Sequence, residues 1–186
     1  MPGTKESTWV DVEVSEVRRS ADGNDPYARV HAVVLKERLG ERHLPVYIGG
    51  PEALALACSL EAVDSPRPMT YQLAADLTRA SGSTVSEVRV TKLSEHTFYA
   101  LIVLQGPAGT SEVDARPSDA INLALVCGAP VRVNAALFDD PEVLRHDAWR
   151  DFPTSATDLA GEVRERAAKQ WAATGIPGAG AKAEDG

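Results

Sequence analysis

The chain has 186 residues, of which 44 % are hydrophobic and 25 % charged, and a formal net charge of −8. That size and composition suit one globular domain with an extension, and the acidic balance counts against a broad basic surface for nucleic acid. No apolar run approaches the roughly 20 residues of a membrane span, and Met1-Pro2-Gly3-Thr4-Lys5-Glu6 lacks an apolar signal core, so a cytoplasmic protein without membrane contact is expected.

From Thr8 to Arg18, Val10, Val12, Val14 and Val17 alternate with Asp11, Glu13 and Glu16, which predicts a half-buried strand. Ser20 to Pro26 is dense in turn formers and predicts a hairpin loop. Tyr27 to Lys36 returns as a second strand, and His43 to Ile48 makes a third, where Pro45 argues for an edge or a bulge. Gly49-Gly50-Pro51-Glu52 then opens a helix to about Val63. Proline suits a first helical turn, and the all-round apolar body Ala53 to Cys58 predicts packing on most sides. Ser65-Pro66-Arg67-Pro68 is a stiff connector, after which Thr70 is expected to cap a helix running to Ser81.

Val85 to Leu93 and Thr97 to Leu104 read as paired strands around Ser94-Glu95-His96, and Gly106 to Gly109 as the next turn. Ser111-Glu112-Val113-Asp114 continues as a strand with both carboxylates on one face. Pro117 then starts a helix with Ser118 and Asp119 in its first turn, followed by Ile121, Ala124, Leu125 and Gly128 at helical spacing. Pro130 to Asn134 is a short last strand. The elements predict an α+β fold with a mostly antiparallel sheet and helices packed against it, spanning 8–138. Asp139-Asp140-Pro141 begins a helical extension over 139–174, and 175–186 is small, polar and expected to be disordered.

Cys58 and Cys127 sit in apolar helical contexts and read as buried free thiols. His31, His43, His96 and His146 are scattered, with His31 and His146 expected at the surface. Zinc spacing, a phosphate-binding glycine loop and a nucleophile elbow are all missing. The chemically rich constellation is Glu112, Asp114, Arg116, Ser118 and Asp119, with Glu52 and Arg67 as additions. Carboxylates two apart on a strand end can hold a divalent cation, and an arginine can fix a phosphate. The same residues can equally form a structural pair, Arg116 with Asp119, that caps the helix.

At these residues the chain resembles the bifunctional nuclease domain family. The likeness runs through Leu44-Pro45-Val46-Tyr47-Ile48-Gly49 with Glu52-Ala53, Arg67-Pro68-Met69-Thr70, Thr97-Phe98-Tyr99-Ala100, Asp114 to Ala120 and Gly128-Ala129-Pro130-Val131. It covers about Val10 to Leu137. The resemblance implies a wedge-like domain, a homo-oligomer (dimer or trimer) and nuclease activity on DNA or RNA. It also implies a shared polar site of Glu52, Arg67, Asp114, Arg116, Ser118 and Asp119. In the nuclease reading Asp114 and Asp119 hold a magnesium or manganese ion, with no organic cofactor, while Arg116 and Arg67 clamp the phosphate. Tyr71 and Gln72 stand where the family usually has His and Asp. A non-catalytic module binding an anion, nucleotide or protein, and an oligomeric scaffold, are the alternatives.

Overall fold

A computed structural model of the chain describes residues 8–19, 31–63, 67–145, 148–153 and 156–174. The expected loop at Ser20 to Pro26, the connector residues Ser65 and Pro66, His146 and the tail from Gly175 lie outside the described residues. Seven strands form one sheet: β1 Trp9–Arg19, β2 His31–Glu37, β3 His43–Ile48, β4 Thr84–Ser94, β5 Thr97–Gly106, β6 Gly109–Ala115 and β7 Val131–Asn134. Their order in space is β3-β2-β1-β7-β4-β5-β6, antiparallel throughout except where β4 meets β7. Helices α1 Gly50–Leu60, α2 Thr70–Ala80 and α3 Pro117–Cys127 belong to the domain, and α4 Pro141–Arg145 and α5 Ala156–Thr174 to the extension. The α+β architecture is the one expected. No helix among the described residues is long and apolar enough to cross a membrane.

The valines of β1 illustrate how sequence sets register. Val10, Val12 and Val14 keep a period of two, and Val17 breaks it. A bulge between Val14 and Glu16 restores Val17 to the core face, where it is fully buried. Pro45 lies on β3, which ends the sheet, so its missing N–H costs no ladder bond. One face of the sheet carries Val12, Val88, Val90, Ala100, Val131 and Val133. Against it pack Ala53, Leu56 and Ala57 of α1 and Ala120, Ile121 and Ala124 of α3.

The extension packs on the domain. Trp149 lies over Ala32 and Val34 on the opposite face of β2, with Phe152 beside it. Arg18 holds this cover in place, donating to the carbonyl oxygens of Arg150 at 2.8 Å and Phe152 at 3.1 Å and stacking on the Trp149 ring. With both faces covered, β2 is buried along most of its length, and His31 at its start is buried rather than at the surface. Leu159 and Ala160 of α5 are buried as well.

Three local expectations are corrected. Met69, not Thr70, flanks the start of α2, and Thr70 is already helical, so it forms no side-chain cap. Cys58 is buried as expected, but Cys127 is exposed, because it ends α3 beside Gly128, whose left-handed φ of 65° stops the helix. The proposed helix from Glu142 divides into α4 and a 3-10 turn at Ala148–Asp151.

Candidate functional site

Three helix starts converge on Arg116. The first turn of α1 brings Pro51 and Glu52, that of α2 brings Thr70 and Tyr71, and that of α3 brings Pro117, Ser118 and Asp119. None of the three has a side-chain cap, so first-turn N–H groups and the positive ends of three helix dipoles collect in one region. Glu52 and Asp119 answer that field with negative charge in the first turns of α1 and α3.

Asn122, fully buried, ties two of these starts together. Its amide donates to the Ser118 carbonyl oxygen at 2.9 Å and to that of Glu52 at 3.3 Å. Gly49 serves the same corner, because the Glu52 carboxylate curls back into the space a Cβ there would fill. Only glycine lets that close approach occur.

Arg116 is gripped from two sides. Its Nε donates to Oδ2 of Asp119 at 2.6 Å, while Nη2 reaches Oδ1 of Asp119 at 3.0 Å and Oε1 of Glu52 at 2.9 Å. Nη1 is left without a partner among the described residues. The Asp119 bond, then its charge and the Glu52 bond, hold Arg116 firmly protonated. Tyr71 donates to Oδ1 of Asp119 at 2.8 Å. Burial and then that bond push the Tyr71 phenol well above its ordinary range, so it stays a donor. Burial pushes the Asp119 carboxyl up, but the Arg116 and Tyr71 bonds outweigh it, and the group lies below its ordinary value.

The cluster stands at the edge of a cleft of about 270 Å³ between the end of β3, the β4–β5 hairpin and the start of α3. Tyr47, Gly49, His96, Phe98, Arg116 and Ser118 are in its walls. A second hollow of about 240 Å³ shares Tyr47, His96 and Phe98 and extends to Glu142. His96 pairs through Nδ1 with Oε1 of Glu142, joining the hairpin to α4.

The structure thus brings Glu52, Arg116, Ser118 and Asp119 together and adds Tyr71. Arg67 stands exposed on the bend before α2. Asp114 is placed elsewhere. It pairs with Leu101, which pairs with Arg89, and this row lies on the sheet face away from α1 and α3. Glu112 shares that face and binds Arg89 at 3.0 Å. The expected cation ligands therefore do not fit a resident metal. Asp114 and Asp119 are separated by the sheet, and both Asp119 oxygens are engaged. Among the described residues no group of three or more His, Cys, Asp and Glu is placed to hold an ion. Strand alternation carried Asp114 outward while Ala115 took the core face, a consequence visible only once the register with β5 is known.

His96, Glu142 and the role of Tyr71 escaped sequence reasoning. Glu142 is 46 residues from His96, and nothing local signals that pair. One trace was present: Glu95-His96 is a two-residue loop between β-prone runs, and such loops favour Asn-Gly.

Residues 33–145 match the family model of the bifunctional nuclease domain. The chain belongs to that family. Bifunctional nuclease 1 of Arabidopsis thaliana is 32% identical over 152 residues, 68% of this chain and 47% of the plant protein. Bifunctional nuclease 1 of Oryza sativa subsp. indica is 32% identical over 108 residues, 56% of this chain but 33% of its own length. The bifunctional nuclease domain thus occupies less than half of each plant relative. An uncharacterized protein of Mycobacterium tuberculosis is 36% identical over 146 residues, 78% of this chain and 84% of that protein.

Proposed function

We propose that this protein is a nuclease that cleaves phosphodiester bonds of DNA or RNA in the cleft beside Arg116. The observation that carries the reading is the arginine itself. Two carboxylates orient its guanidinium, and the open Nη1 edge stands at a cleft into which α3 also directs its first turn. An oriented guanidinium and a helix start both favour a phosphate oxygen. In this reading Arg116 grips the phosphate, Glu52 and Asp119 position Arg116, Tyr71 holds Asp119, and Ser118 lines the floor. Arg67 approaches from the bend as a further phosphate contact. No step is routed through a metal.

A homo-oligomer is part of the proposal, supported by Leu73 and Leu77, exposed on α2 at 51% and 63%, and by the open edge of β6. Two free thiols favour a cytoplasmic setting. A nuclease assay on highly purified protein, with and without Mg²⁺ or Mn²⁺ and beside Arg116→Gln, tests the reading. Activity that is undiminished in the variant would mark a contaminating enzyme.

One observation favours a second reading, a non-catalytic module that binds a small anion or nucleotide. The two carboxylates on Arg116 cancel its charge in a chain that is already acidic. Tight nucleotide binding by a protein that cleaves neither nucleic acid would establish it.

A further inference from the structure

We propose that His96 is the general base of this cleft and that the nucleic acid it acts on is RNA, cut by attack of its own 2′-hydroxyl. The inference rests on the nuclease reading and narrows it. His96 lines the same cleft as Arg116 and Ser118. Its side chain is 85% exposed, so an incoming strand can reach it. Nδ1–H donates to Oε1 of Glu142, a bond that fixes the ring and leaves the lone pair on Nε2, the arrangement of an oriented base.

The backbone points the same way. Glu95 and His96 form the whole loop between Ser94 and Thr97, with φ of 50° and 62°. Glycine and asparagine take such conformations more readily. An imidazole is therefore held where a turn alone would favour other residues, and outliers of this kind cluster at functional sites.

The substrate class follows from the nucleophile. Hydrolysis of DNA needs water activated at the phosphate, and no described set of ligands fits a cation that would do so. RNA carries its nucleophile in the 2′-hydroxyl and needs only a base and an anion grip. Nε2 takes the 2′-hydroxyl proton, the O2′–P bond forms, and the P–O5′ bond breaks with its electron pair leaving on O5′. That oxygen then takes a proton from the imidazolium, so the products are a 2′,3′-cyclic phosphate and a 5′-hydroxyl. Tyr47 and Phe98 in the cleft walls offer rings on which an unpaired base can stack.

The test uses the full chain with a single-stranded RNA oligonucleotide, its DNA equivalent and its 2′-O-methyl form, in EDTA and again in Mg²⁺ or Mn²⁺. His96→Asn and His96→Gly remove the base while suiting the left-handed turn, and circular dichroism verifies their fold. The expected result is RNA cleavage in EDTA to cyclic phosphate ends, with DNA and 2′-O-methyl RNA intact and both variants slowed about 100-fold or more. Equal cutting of DNA, 3′-hydroxyl ends, an absolute need for added metal, or unslowed variants would each overturn this inference while leaving the nuclease reading standing. Wild-type protein that cuts neither nucleic acid in any buffer would overturn the nuclease reading itself.

Discussion

The Tyr71 hydroxyl and Nη2 of Arg116 donate to the same atom, Oδ1 of Asp119, at 2.8 and 3.0 Å. A neutral donor on α2 and a cation beside α3 thus share one acceptor, and the carboxylate is held charged by both. Because the Asp119 carboxyl lies below its ordinary value in the folded protein, it contributes stability at neutral pH. That contribution is lost as pH falls past the unfolded value of about 4 and through the folded one. Tyr71→Phe removes one of the bonds that lower it. The acid loss should then begin at higher pH, with about 1 kcal/mol lost near neutrality. Urea midpoints of both proteins between pH 3 and 7 measure this, and superimposable profiles would show that Tyr71 does not act on Asp119.

Arg116→Gln separates anchoring from recognition. The side chain is 66% exposed, so its ion pairs should contribute about 1 kcal/mol or less to stability. Fluorescence polarisation with a labelled oligonucleotide should show at least tenfold weaker binding, which corresponds to about 1.4 kcal/mol. Unfolding that costs far more, with binding unchanged, would make Arg116 a purely structural residue.

Asn122→Ala should be more damaging to the fold than Arg116→Gln. It removes two bonds from a fully buried side chain and unties α1 from α3. A loss of about 2 kcal/mol is expected in chemical denaturation. Activity should fall in step, because Glu52 and Asp119 would no longer hold Arg116 from fixed positions. An undisturbed urea midpoint would show that the tether is idle.

Trp149→Ala tests whether the extension stabilises the domain. Stripping the cover from Ala32 and Val34 should cost about 3–5 kcal/mol and lower the melting temperature by several degrees. An unchanged melt would mean that β2 tolerates an open outer face.

Light scattering at tens of micromolar should return a multiple of the chain mass, and Leu73→Glu with Leu77→Glu should reduce it to monomer. A wild-type monomer at that concentration would remove oligomerisation from the proposal.

Local patterns carried most of the elements. Valine alternation marked β1, proline and glycine punctuated α1 and α3, and Pro45 announced an edge. They carried part of the site too, since Glu52, Arg116, Ser118 and Asp119 do meet. What escaped were properties of pairing between distant strands and helices. The face on which Asp114 lies depends on its register with Leu101. The burial of His31 depends on a tryptophan more than a hundred residues away. The His96–Glu142 pair needs the hairpin and α4 to be already in place.

The position of β7 has a bearing on synthesis. Strands β1 to β3 form one meander and β4 to β6 another, and the four residues Val131–Asn134 are the seam between them, pairing with β1 on one side and β4 on the other. Until residue 134 leaves the ribosome, each meander keeps an unpaired inner edge, of the kind that invites pairing with other chains. Folding therefore completes late and through distant contacts, which predicts slow refolding in vitro. A cell making this protein in quantity has its greatest aggregation hazard in the nascent chain rather than in the finished domain.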